Sequence, residues 1–481
     1  MRILPVLFLL CLCLMTLTEE SISDSNMSTF SIGDAVSSTQ NGRQGPGLKA
    51  FFTEEEITTW SQYRKQKRLA SLIAAGSVLV FYLFFFLLGI NRYLKIFAER
   101  GTRWLYTNMM LIRVGQKWPP LKNIVKIFER LYGDRQWLVV LLYSLCFLTI
   151  LRLVFFPYKF YRSFWYEIHH GLSNYSLGLW FLDYLKVISL GTFVYTSMVF
   201  GIYGLIARIG RRWWLFLWVG VSLAIFGWVY LAPYREMVFS DFRPLAEGEL
   251  RTRLESLLQS QGVEVEGIYR MDASRRTKKA NAYVTGKGPS RRIVFYDTLL
   301  ENFTPREIST IMAHEIVHWK KPEKKSQYLI FSLTVFVVLF LANTVLEWGS
   351  RVRFFHYTSS RDVAGLPLLL LTFSLIFLFI RPVNLYKKRI NEMETDREAV
   401  EMLCDPVAFI GAHAKLARQN HSEVDPHPVA VFLFYSHPPF LKRVETILSV
   451  NCRPEKEFHE SMIIEDSGDL HQVSTPFAPG P

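Results

Sequence analysis

Cysteine is scarce, with five in 481 residues. Cys11 and Cys13 fall near the N-terminus and Cys146 in an apolar run, leaving Cys404 and Cys452. Those two could pair in an oxidising compartment, but no spacing imposes a disulfide framework. Acidic residues are the minority, 42 against 55 Lys and Arg, for a formal net charge of +13. In a soluble chain that excess would point to nucleic acid. Here the cations collect beside apolar runs, as in RKQKR (64–68) and RIGRR (208–212), and no stretch outside those runs interleaves basic with aromatic residues. Nucleic acid is therefore not an expected partner. Internal repeats are absent as well.

Apolar residues are plentiful, half of the chain. A transmembrane helix needs ~20 of them in succession. Six runs qualify: 69–90, 137–156, 187–207, 213–232, 328–348 and the shorter 366–380. The first residues, MRILPVLFLLCLCLMTLT, place Arg2 before another apolar run. They suit a signal peptide, although no small-x-small cleavage site follows, or else an uncleaved seventh span. The lipid bilayer is thus an expected partner, and the chain is read as a multi-pass membrane protein.

Between the spans the sequence divides as follows. After the leader (1–18) comes a Ser/Gly-rich polar linker (19–50), then an amphipathic helix and four spans (51–232). A polar α/β segment (233–327) precedes a two-span hairpin (328–381), and a second polar segment (382–452) precedes a Pro-rich tail (453–481). Within the first polar segment, AEGELRTRLESLLQSQG (246–262) has helical spacing and ends on a glycine. Residues 265–274, 279–286 and 291–300 read as strands, the last two joined by the turn GKGPS. Thr304, Pro305 and Glu307 then spell a helix start with a capping box.

That helix carries HEIVH. Side chains four apart stack on one helical face, so His314 and His318 can aim their imidazoles at one point. Two imidazoles suit zinc, which in catalytic sites takes three protein ligands and leaves a position for water. Glu315 stands beside them, within reach of that water as a general base. A third ligand must come from another element. The helical segment 387–403 offers Glu392 and Asp396, four apart, so one carboxylate can bind metal while the other orients a histidine. By itself a pair of carboxylates on a helix is most often only solvated.

Taken together these motifs resemble the CAAX prenyl protease type 1 family, the membrane-embedded HExxH zinc metalloproteases. MDASRRTKKANAYVTG is similar to the family's substrate-strand segment, RRIVFYDTLL to the strand that follows, HEIVHW to its zinc helix, NEMETDREA to its glutamate helix and YSHPPFLKRV (435–444) to its Ser-His-Pro-Pro motif. The resemblance covers roughly residues 50 to 450. It implies a mainly α-helical integral membrane protein, with six or seven transmembrane helices and a split α+β zincin-like metalloprotease domain. It implies one zinc ion per chain, held by His314, His318 and Glu392, with Glu315 as general base and Asp396 behind the ligands. His437 would stabilise the oxyanion, Asn281 and Ala282 would hold an extended substrate by adding it to a sheet edge, and Arg443 would support the structure or the substrate. The substrate would be a peptide or protein, either a prenylated C-terminus or a membrane protein under quality control. The chain departs from the family where Thr395 replaces an alanine and Glu394 joins the same turn, which leaves substrate identity open.

Other readings compete. A histidine before Pro-Pro is ordinarily a loop residue, and an Asn before a strand a turn residue. His169, His170, His356 and His413 read as interfacial or surface residues. Asp183, Lys186 and Arg152 lie at or within spans, where charged groups either face a cavity or partner or snorkel to the headgroups. The resemblance puts the zinc domain on the cytoplasmic side, whereas a signal peptide followed by six spans puts it outside. A bundle of channel, transporter or scaffold type with a structural metal site is the rival from another class.

Overall fold

A computed structural model describes residues 47–107, 119–133, 135–236, 241–286, 291–321 and 325–451. The leader, residues 19–46 of the linker, the GKGPS turn beyond Gly286, Cys452 and the tail lie outside the described residues.

The amphipathic segment and the first span form one helix, α1 (Glu54–Leu87). It starts at Thr53, whose hydroxyl accepts from the Glu56 N–H while the Glu56 carboxylate accepts from the Thr53 N–H. This reciprocal cap satisfies two otherwise orphaned donors. Two amphipathic helices, α2 (Ile90–Thr107) and α3 (Pro119–Tyr132), lead into α4 (Gln136–Phe160), which continues through a π turn at Tyr161–Trp165. Helices α5 (Leu177–Ile209) and α6 (Trp213–Glu236) are divided at Gly210, whose φ of +68° is a left-handed conformation that a glycine adopts without strain. Among the described residues five segments are long and apolar enough to cross a membrane, one of which, Leu177–Ala224, contains this break. The six apolar runs read from the sequence thus fall on six helices.

The polar domain begins with β1 (Phe242–Pro244), α7 (Glu249–Ser260), β2 (Gly267–Met271), β3 (Ala282–Thr285) and β4 (Arg292–Tyr296). The strands lie in the order β1-β2-β4-β3, with β2 and β4 parallel and the outer pairs antiparallel. Residues 297–300, expected to prolong the last strand, instead open α8 (Asp297–Asn302). The Asp297 carboxylate causes the turn: it accepts from its neighbour's N–H at Thr298 and from Ser274, so the chain leaves the ladder there. Helix α9 (Pro305–Lys320) carries HEIVH and begins with the expected Thr304–Glu307 capping box.

The hairpin follows as α10 (Lys325–Gly349) and α11 (Leu366–Leu403), then come α12 (Pro406–Gln419), α13 (Pro428–Phe434) and α14 (Phe440–Leu448). Trp213 donates to Asn343 and Trp218 to Ser332, so α6 and α10 run antiparallel. Helix α11 does not stop at the end of its apolar run. It spans 38 residues in all, so Glu392 and Asp396 lie on the same helix as the apolar run.

Two cores result. Tyr143, Phe147, Tyr203, Ile206 and Trp213 are buried in the membrane bundle. The second core draws on both polar segments at once, joining Leu254, Phe295 and Met312 to Val400, Phe409 and Ile447, with Phe51, Phe52 and Trp60 from the start of the chain. Each such side chain contributes about 1.5–3 kcal/mol on burial, so the segments separated by the hairpin are driven together. Asp183, Lys186 and Arg152, the charged groups singled out near the spans, find partners. Arg276 donates to Asp183 at 2.9 Å with Lys186 3.5 Å away, and the Arg152 guanidinium donates to the Ile188 carbonyl.

Candidate metal centre

Helix α9 packs against α11, and the HEIVH face meets the acidic one. His314 Nε2 is 3.4 Å from Glu392 Oε2 and His318 Nε2 is 3.3 Å from Glu392 Oε1. One donor atom from each of the three lies within 4.8 Å of the others, a geometry that could hold a metal ion. Glu392 Oε2 is buried, and the nearby His314 Nε2 at 3.4 Å and His437 Nε2 at 3.6 Å make no hydrogen bond to it among the described residues. A carboxylate oxygen left so would cost free energy unless a cation completes it. Two imidazole nitrogens and a carboxylate are the donor set of catalytic zinc sites.

The remote ring nitrogens also face polar groups. His314 Nδ1 lies 3.0 Å from Asp396 Oδ1, and Asp396, fully buried, receives Arg443 Nε and Nη2 at 2.7 and 2.5 Å. His318 Nδ1 faces Thr395 Oγ1 at 3.5 Å, while that hydroxyl donates to the Asn391 carbonyl and accepts from Lys321. Each imidazole is therefore turned so that Nε2 points inward. Burial works against charge on His314, but the Asp396 and Glu392 carboxylates beside it outweigh burial and raise its pKa to about 9. Burial holds the Glu315 carboxyl above its ordinary range, against the pull of His314 and His318.

His437 sits on the loop between α13 and α14, its Nε2 3.6 Å from Glu392 Oε2 and its side chain 61% exposed. Ser436 Oγ is 2.9 Å from Nδ1, so a hydrogen donated by that hydroxyl leaves the ring proton on Nε2, facing the site. Arg389, one turn before Glu392, donates to the carbonyls of Val431 and Tyr435 and so fixes this loop.

Strand β3 is an edge strand, paired among the described residues only with β4. Tyr296 donates to the Asn281 carbonyl, so by the alternation of strand backbones the N–H and C=O of Ala282 and Val284 point to the open edge. The Val284 amide there meets the Glu315 carboxylate. Asn420 brackets the strand's entry, accepting from the Ala280 N–H and donating to the Ala280 carbonyl. A cavity of about 120 Å³ joins Asn281, Ala282, Glu315, Glu392, His437 and Arg443.

Seven of the nine candidate site residues line this cavity, while His318 stands against Glu392 and Asp396 against His314 and Arg443. One expectation is corrected: His413 is not a surface residue. It is nearly buried, 3.8 Å from Asp396 and 6.5 Å ring to ring from His314, and burial and then Arg443 push its pKa down to about 4. The sequence reading also missed Arg389 and Asn420, which have no motif, whereas Thr395 had been marked by its departure from the family pattern.

Residues 244–451 match the profile of peptidase family M48, and residues 37–235 match that described as CAAX prenyl protease N-terminal, five membrane helices. An uncharacterized metalloprotease of Bacillus subtilis, YhfN, is 30% identical over 298 residues, spanning 60% of this chain and 69% of its own. CAAX prenyl protease 1 of Saccharomyces cerevisiae is 25% identical over 329 residues, 63% and 72% of the two chains. The fold is similar to the crystal structure of S. mikatae Ste24p, with a TM-score of 0.63 at 19% identity, covering 86% of this chain and 94% of that one. The chain belongs to peptidase family M48 and is a multi-pass membrane metalloprotease of the CAAX prenyl protease type.

Proposed function

We propose that His314, His318 and Glu392 hold a single zinc ion and that the site cleaves peptide bonds with Glu315 as general base. The observation that carries this reading is the convergence of the two Nε2 atoms on Glu392, whose buried Oε2 otherwise lacks a partner. Zinc, when bound, supplies a Lewis acid that brings a water's pKa toward ~7. Glu315 then accepts the proton of the attacking water and passes it to the departing amine. Its burial favours the first of these transfers, since a carboxyl raised above its ordinary range is the stronger base.

The substrate lies extended along β3, bonded by the outward N–H and C=O of Ala282, with Asn281 beside it. His437 donates from Nε2 to the oxyanion of the tetrahedral intermediate. Asp396 and Arg443 keep His314 oriented. Prenylated C-terminal peptides are the first substrates to examine, because several relatives carry the name CAAX prenyl protease.

The test compares cleavage of a membrane-tethered peptide library by the wild-type chain and Glu315→Gln, with bound zinc measured in both. We expect hydrolysis to fall about 10²–10⁴-fold, the usual share of a positioned base, while zinc is retained. Equal product profiles would remove Glu315 from the chemistry.

A further inference from the structure

The metal-site cavity shares part of its wall with a larger one. About 590 Å³ of space adjoins the polar end of α1, the π turn after α4 and the middle of α11, and Asn281, His413, His437 and Arg443 line both cavities. The wall of the larger one is cationic: Arg64, Lys67, Arg68, Arg162 and Arg381 face a single acidic lining residue, Glu423. Glu423 is occupied by Arg68 and by the Tyr435 hydroxyl. Lys67 shares Glu167 with Lys279. Arg64 donates to the carbonyls of His421 and Asn420, Arg162 to the Tyr158 hydroxyl, and Arg381 lies 5.7 Å over the Phe434 ring. Of the lining cations, Arg64, Arg162 and Arg381 have no carboxylate partner among the described residues.

Like charges gathered in a half-enclosed space repel one another and raise the local concentration of anions. Arginine adds a fork that matches a carboxylate with two parallel hydrogen bonds. We propose that this pocket seats a carboxylate of the peptide substrate, either its free C-terminus or an Asp or Glu side chain near the scissile bond. The proposal rests on the peptide lying along β3 as described above. A lipid phosphate shares the charge, but the wall held in common with the metal cavity favours the peptide, because a group resting there is already beside Asn281 and His437.

The full-length chain carrying Glu315→Gln, in detergent, is titrated with fluorescent peptides of one sequence: free C-terminal acid, C-terminal amide, amide with an internal Asp, and amide with Lys at that position. Anisotropy should show the acid or the Asp form binding about tenfold tighter than the plain amide, the scale of one charge-assisted hydrogen bond, and the Lys form weaker. Which of the two anionic forms gains identifies the source of the carboxylate. The gap should close in Arg162→Gln/Arg381→Gln and narrow with salt. Because peptides are compared within one protein, a general loss of binding does not imitate the result; Arg381→Gln alone, at an exposed position, serves if the double variant does not fold. Equal binding of charged and neutral peptides overturns the proposal, as does a gap that survives the double variant. Phosphatidylserine vesicles binding in an Arg381-dependent way, with no gap among peptides, would assign the pocket to lipid instead. Cleavage is not read, so a failure of the pocket and a failure of the protease reading are separate results.

Discussion

Asp396 takes the charge of Arg443 through two hydrogen bonds and turns His314 with the same carboxylate. Arg443→Met would leave that carboxylate buried without its cation, and breaking such a pair costs about 3–5 kcal/mol. Chemical denaturation of the purified chain should show a loss of that order; a change under about 1 kcal/mol, the size typical of an exposed pair, would mean Asp396 is wetter than its burial implies. Protons are involved as well. In the metal-free chain the His314 pKa is raised to about 9, above the ~6.5 of a free histidine. That ion pair therefore stabilises the metal-free fold fully below ~6.5 and is lost as pH climbs through about 9. Metal requires the neutral ring, so binding at neutral pH must expel the proton. Titration calorimetry in buffers of unlike ionisation enthalpy should register close to one proton released from His314, and none would contradict this assignment. At this scale the sequence was informative where chemistry repeats at helical spacing: His314, Glu315, His318 and the Glu392–Asp396 pair were all legible. His413, Arg389 and Asn420 were not, because each acts through a contact made from a distant part of the chain.

The edge strand supplies the sharpest contrast among elements. Tyr283 pairs with Val294 in the same hydrogen-bonding register as Asn281 with Tyr296, whereas Ala282 and Val284 turn their backbone groups outward. Proline at 282 should leave the ladder standing and remove one donor from the substrate edge. Ala282→Pro is expected to raise KM about tenfold, the scale of a hydrogen bond lost with its partner left unpaired, with a melting temperature within a few degrees of wild type. Tyr283→Pro should instead lower the melting temperature by breaking a sheet bond. Identical effects of the two on peptide cleavage and unfolding would refute the assigned register. The alternation of apolar residues revealed the strands, but not that α8 begins at Asp297, since the turn depends on a bond to Ser274, 23 residues earlier.

Across the whole molecule, the N-terminal end of α1 and the C-terminal end of α11 both join the polar core. Phe51, Phe52 and Trp60 pack there with Phe440, and Arg68 reaches Glu423. Because both ends pack into that one core they lie on one membrane face, as an even number of crossings by the six apolar helices requires. Protease-accessible tags placed just before Gly47 and after Asn451 should be cut from the same side of sealed vesicles, whichever side that is. Opposite accessibility would require one of the six helices not to cross.

The spans, the capped helix and its two-histidine face follow from local rules, apolar run length and helical period, and the sequence by itself determined them. Whether two polar segments separated by a membrane hairpin build one site could be decided only by packing. A carboxylate at 392 meets imidazoles at 314 and 318 because α11 runs unbroken from the membrane into a core both segments share. Sequence spacing does not encode that distance, which exists only once the apolar faces on either side of the hairpin have been buried against each other.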